Sequence, residues 1–320
     1  MYRIIRTQKS PLNQGLNCNS GGEGGIRTHG ALTRTPDFES GTFDHSATSP
    51  KALHGGSCEP RIIRGRVYRD NNHDIRHAAT IRSNRLVMIE FGHGTHVGLR
   101  RLRNEDTYYA DASLGLFLVA DGMGGHQHGE VASALVRDAM VDLVTRGHSL
   151  IEAVHGAGEQ LLNHTRDSID VTPMGTTIAA LRVIANSYEV AWVGDSRIYM
   201  WKQGLTQISH DHSLVQELVE AGQLDASQAF RHPQRNVLTQ ALGVTANEQL
   251  HVGMSRGQLA PGTAFLLCSD GLTEHLDDAA IARTVARIDL ASQECVDQLL
   301  LAALDGGGDD NVTAVIVRHS

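Results

Sequence analysis

One stretch constrains this chain more than any other: Leu116-Phe117-Leu118-Val119-Ala120-Asp121-Gly122-Met123-Gly124-Gly125. An apolar run ends abruptly in one carboxylate, glycines occupy 122, 124 and 125, and a helical pattern opens at Glu130. A short, unbroken apolar run bounded by turn residues reads as a buried strand. Its last residue, Asp121, projects from the strand end into a loop. The glycines let a backbone carbonyl turn toward whatever Asp121 holds, and they admit a ligand close to the chain. Strand, acid, glycine turn and helix together suit a hard cation or a phosphate.

Charge sharpens this. Residues 1–85 hold 13 Lys/Arg and 7 Asp/Glu, whereas residues 86–320 hold 15 and 29. The acidic part must keep its carboxylates apart in water or neutralise some of them with metal, and its surplus disfavours nucleic acid as a partner. Cysteines 18, 58, 268 and 295 form no ligand pair, which points to free thiols in a reducing compartment. No apolar run is long enough to span a membrane, and the first residues lack the apolar core of a signal peptide. The expected location is the cytoplasm.

Residues 1–85 are rich in Gly, Ser, Thr, Asn, Arg and His, and their apolar residues keep no sustained period. Such a composition cannot bury enough surface to offset ordering. The expectation is a disordered or spurious N-terminal extension, with Met88 as a plausible native start. The alternative is a basic arm that binds a partner.

From residue 86 the texture changes to that of a folded domain running to 320. Strands are expected over 86–91, 114–120, 176–184, 188–193, 197–201, 205–209, 265–269 and 312–317, with helices over 130–146, 150–166, 213–222, 278–287 and 291–304. Val136, Met140 and Val144 repeat at four, beside Leu135, Ala139 and Leu143, giving the first helix a wide apolar face. Asp211 or Ser213 caps the short helix. Residues 223–240 read as loop. Strands and helices fall in separate runs, so the class is α+β.

Asp121, Asp195, Asp270 and Asp310 share a setting at strand ends, and Asp106 adds a fifth acid. Each alone reads most simply as a turn former. Together, converging on one place, they would repel strongly unless cations sat among them. Oxygen-only ligation selects Mg²⁺ or Mn²⁺ over zinc. Two such ions roughly 3.5–4 Å apart could share a bridging hydroxide and attack phosphorus in line. The local pattern does not decide between Asp309 and Asp310.

The runs Arg101-Leu-Arg-Asn-Glu-Asp106, Asp121-Gly-Met-Gly-Gly125, Gly194-Asp-Ser-Arg197, Asp270-Gly271 and Asp310-Asn311 occur in the order found in PP2C-type (PPM) metal-dependent protein phosphatases. Residues 124–133 and 232–243 resemble the bacterial branch. The resemblance covers roughly 90–318. It implies a four-layer α-β-β-α sandwich of two antiparallel sheets flanked by helices, with metals in a cleft at one end. It implies that Asp121 bridges two ions, that the Gly122 carbonyl holds one, and that Asp270 and Asp310 hold the other. Asp106 would act through water, and Asp195 would help to hold a third, weaker ion. Arg101 resembles the arginine that grips the substrate phosphate, a bidentate task suited to a guanidinium. Residues 211–240 would contain a flap that helps to set substrate choice.

What the resemblance implies is a phosphatase acting on phosphoserine and phosphothreonine in proteins, opposing a bacterial Ser/Thr kinase. Met123 stands, as in bacterial members, where eukaryotic members carry a histidine proposed as general acid, so water on a metal is the candidate. His126, His128, His212 and His232 read as structural, and Cys268 as core. Two other readings are a degenerate fold that scaffolds a partner, and a regulator acting on a phosphorylated anti-sigma antagonist.

Overall fold

The strand that carries Asp121 is buried along its whole length, and its two faces meet different partners. The computed structural model describes residues 4–5, 88–124, 128–167 and 173–319. These belong to one compact unit, Met1–Ser10 with Asn84–Ser320. Pro11–Ser83, and with them nearly all of the segment expected to hold no folded domain, lie outside the described residues.

In chain order the elements are β1 (Ile4–Ile5), β2 (Ile89–His96), β3 (Asp106–Asp111), β4 (Leu116–Met123), α1 (His128–Thr145), α2 (Leu150–Asp167), β5 (Gly175–Thr176), β6 (Ile178–Ile184) and β7 (Ser187–Val193). There follow β8 (Arg197–Trp201), β9 (Leu205–Gln207), α3 (Leu214–Glu220), α4 (Ala226–Ala229), β10 (Val237–Leu238), β11 (Gly253–Gln258), β12 (Ala264–Cys268), α5 (Asp270–Thr273), α6 (Asp278–Val285), α7 (Ser292–Asp305) and β13 (Val312–His319). One sheet has the order β11-β7-β6-β4-β3, with β5 beside β4; the other has the order β2-β13-β12-β8-β9. All their pairings are antiparallel. The two-residue β1 pairs with β10.

Alternation along β4 builds the layers. Leu116, Leu118 and Ala120 face α1 and α2, packing with Val136, Met140, Val154 and Leu161. Phe117 and Val119 face the other way, into a core shared with Ile198, Phe265, Leu267, Val315 and Val317 of the second sheet. The second sheet's outer face packs on α6 and α7 through Ile281, Val285, Val296 and Leu299. The result is the expected four-layer sandwich. Period two on the strands puts alternate residues on opposite faces, so each sheet needs apolar cover on both sides. Phe117 is fully buried between the sheets, and its removal to alanine would cost about 3–5 kcal/mol.

Several elements depart from expectation, each for a physical reason. β2 starts later and runs on through Gly92 and Gly94 to His96. A Cβ on Gly92 would lie 2.4 Å from the Gln293 backbone nitrogen, and one on Gly94 would lie 2.6 Å from Leu300 Cδ1. Helix α7 packs directly on this strand's backbone, so its glycines mark close approach, not a loop. β11 was not expected either. Its Gly253 and Gly257 pair with Trp192 and Tyr188 of β7, whose rings cover them. The loop expected over 223–240 contains α4, capped by Asp225 through the Ser227 amide at 2.8 Å, and the short β10. Ser213 caps α3, accepting from the Gln216 amide.

Candidate metal centre

Strand direction gathers the acids at one end of the sandwich. Asp106 opens β3 and Asp121 nears the end of β4, and the two are direct cross-strand partners. Opposed residues on antiparallel strands present their side chains on one face. β7 ends at Val193 in the first sheet and β8 begins at Arg197 in the second, so Gly194-Asp195-Ser196 is a crossing between sheets. Gly194 has φ +98°, a conformation that favours glycine. β12 ends just before Asp270, and β13 begins just after Asp310 and Asn311, on adjacent strands.

Asp106 joins the two sheets. Its Oδ2 accepts from Ser269 Oγ at 2.7 Å, just beyond β12, and from Thr313 Oγ1 at 2.8 Å, in β13 of the second sheet. Its Oδ1 is buried without a hydrogen-bond partner. Burial raises its pKa to about 7, and the charges of Asp270 and Asp310 push the same way against the two hydroxyl donors. Those two charges also bear on Glu274, whose pKa rises to about 7 chiefly through burial, opposed by Arg235 and Asn236. Sequence reasoning missed Glu274. It lies four residues beyond Asp270, the spacing that places two side chains on one helix face, but α5 is a single turn that no periodicity announces.

The remaining acids are held by their backbones. The Asp121 amide donates to Thr177 Oγ1 at 3.0 Å, and its carbonyl accepts from the Thr177 amide and Thr176 Oγ1, each at 2.9 Å. Thr177 Oγ1 also meets Ser196 Oγ at 2.7 Å, tying the Asp121 strand to the residue after Asp195. A Cβ on Gly122 would lie 2.0 Å from the Gly129 carbonyl oxygen, so β4 and the start of α1 can meet only across a glycine. Asp195 and Asp270 open on one cavity of about 870 Å³, which α3, α4 and Glu274 also line. Arg197 beside it grips Asp211 through Nη2 at 2.7 Å. Burial lowers the pKa of this guanidinium, but Asp211 outweighs that and holds it above the usual arginine range.

Arg101, half-exposed, donates to Asp310 Oδ2 at 2.7 Å, while its neighbour Arg100 pairs with Asp309 at 2.6 Å. Here the structure separates the two adjacent acids. Asp309 has a half-exposed side chain paired with Arg100, whereas Asp310 lies within electrostatic reach of Asp106 and Glu274. Met123 packs with Leu238 and Ala241. His212 Nδ1 accepts from the Gly194 amide, and His232 Nδ1 from the Gln234 amide, so both brace turns. Cys268 is core, and burial pushes its thiol up to about 12. His126 lies outside the described residues.

These residues fit a hard divalent cation. The donors are all oxygens, one buried carboxylate oxygen has no partner, and burial, reinforced by the charges of Asp270 and Asp310, raises two acids toward neutrality. Among the described residues no three Asp, Glu, His or Cys side chains group so as to hold a metal ion by themselves. Magnesium-like ions keep several waters and need only one or two carboxylates each. Among the described residues no helix is long and apolar enough to cross a membrane.

A family model described as protein phosphatase 2C matches residues 94–305. The serine/threonine protein phosphatase PstP of Mycobacterium tuberculosis is 36% identical over 229 residues, which are 68% of this chain and 43% of PstP. This chain therefore spans less than half the length of that relative. Protein phosphatase PhpP of Streptococcus pneumoniae is 32% identical over 235 residues, 70% of this chain and 94% of PhpP. A crystal structure of the PstP catalytic domain in complex with two manganese ions superposes with TM-score 0.65 at 32% identity, covering 73% of this chain and 99% of that one.

Proposed function

The chain belongs to the protein phosphatase 2C family, among its bacterial members, and from that premise we propose that it hydrolyses phosphoserine and phosphothreonine in proteins with Mn²⁺ or Mg²⁺. The observation that carries the reading is Asp106. Its carboxylate is buried between two sheets with one oxygen unpartnered, within range of Asp270 and Asp310. Such crowding is costly unless positive charge enters it.

Asp121, the Gly122 carbonyl, Asp270 and Asp310 would hold two ions, Asp106 would act through an intervening water, and Asp195 would serve a third. When bound, these ions supply charge neutralisation and an acidified water able to attack phosphorus at neutral pH. The chain's own residues bind and orient. Arg101, half-exposed beside Asp310, offers a planar fork of N–H donors to a phosphate monoester. Thr176 and Thr177 fix the backbone of Asp121. Met123 packs with Leu238 and Ala241 and gives no proton, so the proton for the leaving alkoxide would come from water. In the cell the partners would be phosphorylated proteins and the Ser/Thr kinase that makes them, in the cytoplasm.

The test is release of phosphate from a phosphothreonine peptide with Mn²⁺, with chelator, and in Asp121→Asn and Asp270→Asn. Chelator should abolish turnover. Each variant should lose at least about 100-fold in kcat/KM while keeping the wild-type circular dichroism. Wild-type turnover in either variant, or turnover indifferent to chelator, would sink the reading.

A further inference from the structure

We propose that Asn311 is the positioning residue for Arg101, and that its amide sets how the arginine meets the substrate phosphate. The inference rests on the proposed role of Arg101. The segment from Val97 to Glu105 links β2 to β3 and has neither helix nor strand of its own. Its shape must come from bonds to other parts of the chain.

One buried side chain supplies three of them. Asn311 Nδ2 donates to the Val97 carbonyl at 2.8 Å and to the Arg103 carbonyl at 2.9 Å. Its Oδ1 accepts from the Glu105 amide at 2.8 Å. Both donors of the amide thus go to one loop, as does one of its acceptor sites. Val97 precedes Arg101 by four residues and Arg103 follows it by two, so the two N–H bonds pin the loop on either side of the arginine.

The clamp cannot drift. A Cβ on Gly271 would lie 2.1 Å from the Asn311 carbonyl oxygen, so the backbone of Asn311 is pressed against the turn that carries Asp270. The Leu99 amide adds a bond to the Gly308 carbonyl at 2.7 Å. At the loop's far end the Glu105 carbonyl accepts from the Gly122 amide at 3.0 Å and from Ser133 Oγ at 2.7 Å. The arginine loop is therefore indexed to the same backbone that presents Asp270, Asp310 and Gly122. A bidentate grip tolerates only about half an ångström of error, and a loop without its own ladder meets that tolerance only if clamped.

A double-mutant cycle on the full chain tests this, with Mn²⁺ and a phosphothreonine peptide. Arg101→Ala should raise KM at least about tenfold, as expected for lost charge-assisted bonds. Asn311→Ala and the isosteric Asn311→Asp, which keeps an acceptor but no donor, should each raise KM about three- to tenfold, with kcat within about threefold. The double variant Arg101→Ala/Asn311→Ala should match Arg101→Ala alone, since the loop then has nothing left to aim. Calorimetric titration with inorganic phosphate should give the same order without turnover. Multiplicative effects in the cycle, an unchanged KM in both Asn311 variants, or a loss confined to kcat would overturn the inference. If Asn311→Ala does not fold, Asn311→Asp carries the cycle. An inactive wild-type chain would instead bring down the proposed function, whereas an active one with an Arg101-independent Asn311 effect refutes the positioning role alone.

Discussion

His212 lies behind the crossing that carries Asp195. Its amide donates to the Gly194 carbonyl at 2.9 Å, and its Nδ1 accepts from the Gly194 amide at 3.3 Å. Burial lowers its pKa to about 4, helped by the neighbouring His251 and His210 and opposed by Glu220. A depressed histidine favours the neutral form in the folded state, so the unfolded chain takes up its proton first, near pH 6.5. Its stabilising contribution is therefore complete above about pH 6.5 and is lost as pH falls toward 4, by on the order of 2 kcal/mol. His212→Asn keeps an acceptor for Gly194 and removes the titration. Urea midpoints of this variant between pH 7 and 4 should fall less steeply than those of the wild type; parallel slopes would remove His212 from the acid response. At this scale the sequence revealed most where an acid closes an apolar strand, as at Asp121 and Asp270. It revealed least where the signal is a bond and not a pattern: nothing in Asp309-Asp310-Asn311 tells which acid turns inward, or that the amide beside it holds a distant loop.

Among the elements, the junction of β4 with α1 is the most demanding. The Cβ missing from Gly122 would strike backbone atoms of Gly129 and the Glu105 carbonyl, at 2.0 and 2.6 Å. Backbone cannot step aside as a flexible side chain can. Gly122→Ala should lower the unfolding free energy by about 1–3 kcal/mol and cut activity sharply, because the start of α1 must move. A calorimetric midpoint within a degree of wild type would mean the junction is looser than it looks. The same packing logic explains which strands escaped sequence reasoning. β4, β12 and β13 are continuous apolar runs, buried on both faces, and they read plainly. β2 and β11 hold glycines where α7 and the rings of Trp192 and Tyr188 press on the backbone. A residue chosen to leave room carries no periodicity. β3 is half-buried and written in Thr, Tyr and Asp, so its strand character depends on the neighbour it pairs with.

For the molecule as a whole, the acids at one end couple metal binding to folding. An ion that binds only the folded state at 100 times its dissociation constant adds about 2.7 kcal/mol. For a unit of this size that corresponds to roughly 5–10 °C in the unfolding midpoint. Saturating Mn²⁺ should produce such a shift in the full chain and in residues 88–320 alike, and both should turn over equally. A midpoint unmoved by Mn²⁺ would show that the acids do not gather an ion, and a fragment that fails to fold would show that the first 87 residues matter. The strand registers carry a practical corollary. The turns joining β3 to β4, β6 to β7 and β8 to β9 close at Asp111–Leu116, Ile184–Ser187 and Trp201–Leu205, the pole opposite the acids. A fluorophore or an affinity handle grafted at Ala112-Ser113 or Lys202-Gln203 would anchor the molecule to a bead or a sensor chip by its blunt side, leaving the acid-bearing end turned toward the sample.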